Sequence, residues 1–352
     1  MQRMLSLATL AGLGGAVWMF LSGGGLNQLA VPPAGVGQQA TQGAGFGSPT
    51  TWNGGGVTPT APPPTTAIGI GAPALGNGPK FRIASFNIEV FGKSKAEDTR
   101  VIYTLAEIVR QFSLVAIQEI RTQDEHHMSH FVRLINSTGR KYDYVVGPRT
   151  GNTVSKEQYA FVFDTERIIV DRNTVFTVGD PDNLLHREPL VASFSTRMPA
   201  DSAFTFTLVN VHTTPEPASA LDVELSALAE VYREVRRTGR GEDDVIMIGD
   251  FNASDKKIAA HHRVGKLPGV TPLVRGVFSN TRQSELFDNI LVHLPSTTEY
   301  EGQSGVFNFG QAFNLSPAEA EQVSDHFPVW AEFSAYELDY NRAIARRGTN
   351  VR

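Results

Sequence analysis

Short apolar runs that end in polar residues recur along the chain between residues 80 and 334. The clearest run is Val245 to Ile248, which Gly249, Asp250 and Asn252 follow. Four consecutive apolar residues are typical of a strand buried on both faces, and the glycine allows a sharp exit from that strand. Comparable apolar runs predict further strands at 81–88, 114–117, 142–146, 159–163, 190–194, 204–211, 287–292 and 327–333.

Two segments, 96–112 and 218–237, carry apolar residues at the three- and four-residue spacing of an amphipathic helix. Arginines fill the last turn of the second segment, where positive charge favours a helix end, and Gly239 can cap it. We therefore predict a domain that contains both strands and helices.

The first 21 residues differ from this pattern. Met4 to Leu21 is an apolar run with a single charged residue, Arg3, ahead of it. The run is just long enough to span a bilayer, and no small-x-small cleavage site directly follows it. An export signal and an uncleaved membrane anchor both remain open, with a buried soluble helix as the third reading. We expect an exported protein that is secreted, periplasmic or anchored to the membrane.

Residues 22–79 are mainly Gly, Pro, Thr, Ala and Gln, with almost no charge and few large apolar side chains. Such a segment cannot bury enough surface to offset the entropy lost on ordering, so we predict a disordered linker. The folded domain is predicted at 80–334. The tail at 335–352, rich in arginine near its end, is predicted to be a short helix or disordered.

Composition excludes several classes of site. The chain has 352 residues, a formal net charge of -5 and no cysteine. It therefore has no disulfide, no thiol nucleophile and no thiolate zinc site. The net charge gives no basic field over the whole molecule, so a polyanion would have to meet a local patch and metal ions.

Polar residue types that are useful to phosphate chemistry close, follow, interrupt or directly precede six of the predicted strands. They are Asn87, Glu119, His212, Asp250 with Asn252, Asp288, and Asp325 with His326. A single ending of this type is readily explained by an Asx turn, but six such endings are not. If neighbouring strands present these ends at one rim, they offer carboxylates for Mg2+ or Mn2+ and two histidines for proton transfer.

Eight motifs in order and spacing carry a family resemblance: FNIEVFGKSK, VAIQEIR, KEQYAFVF, HREP, VNVHTTP, GDFNAS, FDNILV and SDHFPV. Residues 80–334 resemble the endonuclease/exonuclease/phosphatase superfamily, and within it deoxyribonuclease I most of all. The resemblance implies an α/β fold, a four-layer α/β sandwich of two packed mixed β-sheets with helices outside. It also implies a site at the strand ends between the sheets.

The resemblance implies a metal and phosphate site. Glu119 matches a ligand of Mg2+ (or Mn2+), and Asn87 beside it would help to hold metal and phosphate. Asp250, Asn252 and Asp325 match residues that surround the phosphate and a possible second metal.

Two catalytic histidines are implied by the same motifs. His212 would be oriented by Glu157, and His326 by Asp288. Asp250 and Asn252 would act beside them in the reaction.

Three residues match substrate contacts of the family. Arg121 matches an arginine that enters the DNA minor groove, and Tyr159 and Arg187 match residues near the scissile phosphate. Glu89 stands where the family often has a groove-contacting arginine, which is a departure. The loops at 180–186 and 278–285 are too short for the structural calcium sites known in the family.

Five other histidines are predicted to lie at the surface rather than in a metal or catalytic site. His126, His127 and His130 lack an evident partner ligand, so we predict that they lie on a solvated helix. His261 and His262 are likewise predicted to lie at the surface.

We expect a metal-dependent endonuclease that hydrolyses DNA phosphodiester bonds, acting as a monomer. The DNA would be held through its phosphate backbone and its minor groove. A phosphodiesterase or phosphatase for lipids or small phosphates is a second reading, which the match at Arg121 disfavours. A catalytically silent binding module is a third, and such a module has no need for both histidines and their carboxylates.

Overall fold

The computed structural model describes residues 79–238 and 242–338. The predicted signal or anchor (1–21) and most of the predicted tail lie outside the described residues. So do Gly239 and the predicted linker, of which only Pro79 is described. None of the helices in the described part is long and apolar enough to cross a membrane.

Two six-stranded sheets make up the centre of the described domain. Their strands are β1 (Lys80–Phe91), β2 (Leu114–Ile120), β3 (Tyr142–Val146), β4 (Gln158–Asp164), β5 (Ile168–Thr177), β6 (Leu190–Thr196), β7 (Thr205–His212), β8 (Val245–Asp250), β9 (Val270–Pro272), β10 (Asp288–His293), β11 (Tyr300–Val306) and β12 (Val329–Ser334). The first sheet has the order β11-β12-β1-β2-β4-β3, and the second β5-β6-β7-β8-β10-β9. The pairs β1–β2 and β7–β8 are parallel and the remaining pairs antiparallel, so both sheets are mixed.

Helices cover the outer faces of the two sheets. They are α1 (Lys93–Glu97), α2 (Thr99–Val109), α3 (His127–Asn136), α4 (Ala218–Thr238), α5 (Asp255–Ala260), α6 (Phe309–Ala312) and α7 (Pro317–Val323). Helices α1 and α3 contact strands of the first sheet, whereas α4 and α5 contact strands of the second. The predicted four-layer α/β sandwich is confirmed.

Aromatic side chains fill the space between the sheets. Phe81 and Phe333 come from the first sheet, and Phe206 from the second, and their rings pack together with that of Phe204. Each buried phenylalanine contributes roughly 1.5–3 kcal/mol of transfer free energy. Strands covered on both faces can be apolar at every position, which is why the continuous runs in the sequence identify them.

The predicted elements differ from the structure in three respects, of which the first is that the short helices α5, α6 and α7 were not predicted. The predicted helix 96–112 is two helices, because Asp98 is extended and its side chain caps α2 by accepting from the backbone N–H groups of Arg100 and Val101. Strands β5, β9 and β11 were not predicted. Strand β5 is half-exposed, β9 has three residues, and β11 contains two glycines, so none of them shows a continuous apolar run.

The first residues after β12 pack against the domain. Ala335 is buried and its N–H donates to the carbonyl of Pro79, and the N–H of Leu338 donates to Glu299 Oε1. Glu337 follows the same path and its N–H donates to the carbonyl of Ser202. The described start of the tail, 335–338, therefore lies against the domain.

Candidate active site

The strand register places three site residues side by side. His212 pairs with Asp250 across the parallel β7–β8 ladder, and Asp250 pairs with Asp288 across the antiparallel β8–β10 ladder. Residues opposite each other on neighbouring strands project from the same face of a sheet. Gly249 is required beside them, since a Cβ at its φ of +151° would lie 1.9 Å from the carbonyl oxygen of Val211.

The backbone is left-handed at several non-glycine residues around the same rim. The φ angles are +47° at Glu89, +50° at Val90, +62° at Glu119 and +45° at Asn252. Each such residue costs of order 1–3 kcal/mol and persists only where its surroundings hold it. Here the N–H of Val90 donates to Glu119 Oε2 at 2.8 Å, and that of Glu89 to Asn87 Oδ1 at 2.9 Å. The turns thereby orient the side chains that the strand ends present.

Two histidine–carboxylate pairs face one carboxylate oxygen. His212 Nδ1 lies 2.6 Å from Glu157 Oε1, and His326 Nδ1 lies 2.8 Å from Asp288 Oδ2. The other ring nitrogens, His212 Nε2 and His326 Nε2, lie 3.6 Å and 3.7 Å from Asp250 Oδ2. Each carboxylate fixes the tautomer of its ring, because it accepts a hydrogen bond from the Nδ1–H group. Both Nε2 atoms are thus directed at the same point.

Charge around His212 favours its protonated form. Burial acts to lower the pKa of His212, but the carboxylates of Glu157 and Asp250 outweigh burial and raise it above 6.5. For Glu157, burial acts to raise the pKa, whereas His212 and the guanidinium of Arg187 lower it below its ordinary value. Arg187 Nε lies 2.8 Å from Glu157 Oε1, so this fully buried carboxylate stays charged.

Burial and neighbouring charge also set the pKa values of the second pair, His326 and Asp288. Burial acts to lower the pKa of His326, yet the charges of Asp288 and Asp250 raise it to about 10. Burial raises the pKa of Asp288, and its neighbour His326 opposes that effect. Ser279 Oγ donates to Asp288 Oδ2 at 2.7 Å and fixes this carboxylate.

The remaining carboxylates form a set of hard oxygen donors. The amide of Asn87 donates to Asp250 Oδ2 at 3.1 Å and to Glu119 Oε1 at 3.4 Å. Asp325 Oδ1, 3.7 Å from His326 Nε2, is buried without a hydrogen-bond partner among the described residues. Ligand atoms of the described residues lie close together in two groups here, Glu119 with Glu157 and His212, and Asp250 with Asp288 and His326, and either group could hold a metal ion.

The other predicted site residues lie around this centre. Arg121 pairs with Glu119 Oε2 at 3.0 Å and with Glu157 Oε2 at 3.5 Å, so its positive charge is shared between these two carboxylates. The side-chain amide of Asn252 donates to the carbonyl of Thr213 at 2.8 Å, and Asn252 N–H donates to Asp250 Oδ1. Tyr159 is buried, with its hydroxyl 3.5 Å from the carbonyl oxygen of His212.

Three residues near the site were not predicted. Ser279 supports Asp288 from a loop without any motif. Lys95 donates to the carbonyls of Ile88 and Val323 and pairs with Glu89, which ties the end of β1 to the chain before Asp325.

The third such residue, Glu224, lies on the buried face of α4. Its carboxylate accepts from the N–H of Thr214, just after His212, at 3.2 Å and 3.3 Å. Burial raises the pKa of Glu224 to about 7. Its position three residues after Leu221 and one before Leu225 was a readable signal, since it places an acid on an apolar helix face.

Two predictions about histidines outside the site were wrong. His127 is not solvated: it is buried, with its ring centroid 4.3 Å from that of Phe91. His261 is also buried, with Nε2 3.0 Å from Asp222 Oδ1. His127 belongs to the buried face of α3, and His261 Nδ1 accepts from the N–H groups of Arg263 and Val264.

Comparisons with known proteins agree with this geometry. The model of the Endonuclease/Exonuclease/phosphatase family matches residues 84–326. Rat (Rattus norvegicus) deoxyribonuclease gamma is 32% identical over 79% of this chain and 91% of its own length. Pig (Sus scrofa) deoxyribonuclease-1 is 30% identical over 71% of this chain and 90% of its own length.

A solved structure shares the fold. An endonuclease/exonuclease/phosphatase family protein from Bacteroides thetaiotaomicron superposes with a TM-score of 0.51 at 17% identity, covering 73% of this chain and 98% of that one. The family model that matches residues 84–326, together with relatives at about 30% identity over most of the chain, shows that this chain belongs to the endonuclease/exonuclease/phosphatase family.

Proposed function

We propose that this protein is a metal-dependent endonuclease that hydrolyses DNA phosphodiester bonds. One observation carries the proposal: His212 Nε2 and His326 Nε2 approach the same oxygen of Asp250, at 3.6 Å and 3.7 Å. Two imidazoles held by separate carboxylates can give and take protons on two sides of one phosphate. This is the arrangement that hydrolysis of a phosphodiester needs.

The two histidines divide the proton transfers. One takes a proton from water as the water oxygen forms its bond to phosphorus, and the other gives a proton to the leaving 3′ oxygen as its bond to phosphorus breaks. Glu157 and Asp288 accept hydrogen bonds from the Nδ1 atoms and stabilise the charged rings. A positioned acid or base of this kind typically contributes 10²- to 10⁴-fold to the rate.

Glu119, Asp250 and Asp325 are the proposed ligands for Mg2+ or Mn2+, with Asn87 and Asn252 beside them. When bound, such an ion supplies positive charge that neutralises the phosphate. The protein's own residues orient the carboxylates, because Asn87 donates to both Glu119 and Asp250.

DNA is the proposed substrate because the relatives over this domain are named deoxyribonucleases. Arg121, Tyr159 and Arg187 are the proposed contacts to the groove and to the phosphate. Arg121, with its side chain 26% exposed, is the one of these cations that is accessible at the rim, whereas Arg187 is largely buried against Glu157.

Export or membrane anchoring, and a monomeric state, are also part of the proposal. Export rests on the apolar run that ends at Leu21. Fractionation of cells and the mass of the purified full chain in solution test these two points. Recovery in the cytosol, or a stable dimer, would contradict them.

The central experiment incubates the full chain with supercoiled plasmid and Mg2+, with and without excess chelator. We expect nicked circles that disappear in chelator and return with Mg2+ or Mn2+. His326→Ala is the matched control for a contaminating nuclease. Activity on phosphomonoesters or lipid phosphates with no nicking of DNA would contradict the substrate, and full nicking in chelator would contradict the metal.

A further inference from the structure

Lys95 carries a buried ammonium group beside the active site. Its side chain is 14% exposed, whereas that of Lys93, two residues earlier on α1, is 83% exposed. Lys95 Nζ donates to the carbonyl of Ile88 at 2.7 Å, to the carbonyl of Val323 at 3.0 Å and to Glu89 Oε2 at 3.2 Å. An ammonium has three N–H donors, so each donor of Lys95 has an acceptor.

The acceptors show which parts of the chain this buried charge joins. Ile88 lies near the end of β1, and Val323 is the last residue of α7. Burying a charge is unfavourable unless the charge is paired and hydrogen-bonded. Burial accordingly lowers the pKa of Lys95, and the neighbouring carboxylate of Glu89 opposes that effect. The buried ammonium therefore links the end of β1 to the end of α7.

Both linked segments carry residues of the active site. Asn87, directly before Ile88, orients two of the proposed metal ligands through its side-chain amide. His326 lies three residues after Val323. Lys95 thus connects the strand that orients metal ligands to the segment that carries one of the two proposed catalytic histidines.

Ser324 makes a second link between the same segments. Its hydroxyl donates to the carbonyl of Asn87 at 2.8 Å and accepts from the N–H of His326 at 3.0 Å. A single hydrogen bond leaves one segment free to rotate about the other, whereas two links at neighbouring residues restrict that rotation. With Lys95 in place, the backbone before His326 is therefore held in both distance and direction.

Lys95 acts on the site only through the residues that it holds. Its three donors are all used within the protein, so it has no N–H group to offer to a phosphate. In the part of the chain that the structure describes, Lys95 forms an ion pair with Glu89 and with none of the proposed metal ligands. An effect of Lys95 on the reaction would therefore arise from the position of its neighbours.

We propose that Lys95 is a positioning residue for the reaction. It holds the segment that carries His326 against the end of β1, and thereby sets the position of the His326 ring relative to Asp250. This inference rests on the function proposed above, because it concerns the same active site. Misplacing a reacting group by about 1 Å, even from a distant residue, can cost about 10²-fold in rate.

The first test replaces Lys95 by Met in the full chain. Methionine keeps a long apolar side chain and removes all three donors. With supercoiled plasmid and saturating Mg2+, kcat for nicking should fall roughly 10- to 100-fold, the usual cost of losing a residue that orients the groups of a site. KM for DNA should change by less than about twofold, because Lys95 makes no contact with phosphate.

Lys93→Met is the matched control, because Lys93 lies on the same helix and carries the same charge but is exposed. It should nick DNA like the unmodified chain. Lys95→Gln retains a side-chain amide donor and should lose less activity than Lys95→Met. Circular dichroism checks folding, and Lys95→Gln takes the place of Lys95→Met in every comparison if the latter does not fold.

Hydrogen exchange tests the link without any measurement of activity. In chelator, the backbone amides of Ser324 and His326 should exchange at least about fivefold faster in Lys95→Met than in the unmodified chain. The amides of β7 should not change, and Lys93→Met should leave all of these rates as they are. If the unmodified chain does not nick DNA, the function proposed above fails, and exchange still decides whether Lys95 holds this segment.

Three results would overturn the proposal. The first is a kcat for Lys95→Met close to that of the unmodified chain, with or without a higher KM. The second is an equal fall of kcat in Lys93→Met, which would indicate the loss of one positive charge rather than of a link. The third is unchanged exchange at Ser324 and His326 in Lys95→Met.

Discussion

The side-chain amide of Asn87 donates a hydrogen bond of 3.1 Å to Asp250 Oδ2, across the gap between the two sheets. Asn87 belongs to β1 of the first sheet and Asp250 to β8 of the second. The same amide also reaches Glu119 Oε1 at 3.4 Å. One neutral side chain therefore sets the spacing of two carboxylates that come from different strands. Its own oxygen accepts from the N–H of Glu89, so the amide cannot rotate freely.

We expect Asn87→Ala to lower DNA nicking by about 10- to 100-fold, the usual cost of losing a residue that orients metal ligands. The concentration of Mg2+ needed for half-maximal rate should rise as well. Ser85→Ala is the matched control, because Ser85 lies two residues earlier on β1 and bonds Gln118 rather than a carboxylate. An equal loss of activity in both variants would indicate a structural effect alone.

Either single histidine variant, His212→Ala or His326→Ala, should lower nicking by at least roughly 10²- to 10⁴-fold. The double variant should be little worse than the single ones, because acid and base act in one step. DNA affinity should hardly change, since phosphate contacts elsewhere dominate binding. Initial rates and filter-binding affinities check this, with circular dichroism to confirm folding. A folded single variant that nicks at nearly the normal rate is incompatible with the mechanism.

Asp288→Asn should cause part of the loss of nicking activity expected for His326→Ala, because it removes the negative charge that raises the pKa of His326 to about 10. The limb of the pH–rate profile that reports His326 should therefore move to lower pH. Ser279→Ala leaves that charge in place and removes only one donor to Asp288, so its profile should move less. Full profiles at saturating Mg2+ separate the two variants. Superimposable profiles for Asp288→Asn and the unmodified chain would exclude this role.

The strands were predictable where apolar residues dominated a segment. Strands such as β8 lie between a sheet and a helical layer, so every position is apolar and the run is unmistakable. Strand β5 lies at an edge of its sheet, and its consecutive exposed residues Asp171, Arg172 and Asn173 interrupt the apolar pattern that would have predicted it. The sandwich itself followed from the family resemblance, since apolar runs do not specify the order of strands.

The site was predictable as a set of residue types but not as a set of contacts. Polar strand ends identified His212, Asp250 and Asp288, because register brings neighbouring ends together. Sequence could not show that Arg121 pairs with Glu119, since that contact depends on the left-handed backbone at residue 119. Nor could it show that the Glu224 carboxylate on α4 accepts from the N–H of Thr214 in the loop after β7.

The remaining prediction concerns Glu224, whose pKa burial raises from 4.5 to about 7. A raised carboxyl pKa means that the folded state binds more protons than the unfolded state between about pH 4.5 and pH 7. The free energy of unfolding therefore falls as pH rises through this window and levels off above it. The contribution of this one group is at most about 3 kcal/mol, since one unit of pKa corresponds to about 1.36 kcal/mol.

Replacing Glu224 by Gln removes that titration and keeps an oxygen that accepts from the N–H of Thr214. We expect Glu224→Gln to become more stable relative to the unmodified chain on going from pH 5 to pH 8. Urea unfolding in chelator at both pH values measures the difference. Glu125→Gln, at an exposed position, is the control and should show the pH dependence of the unmodified chain. If Glu224→Gln shows that same dependence, the Glu224 carboxylate is already ionised in the folded protein at pH 5.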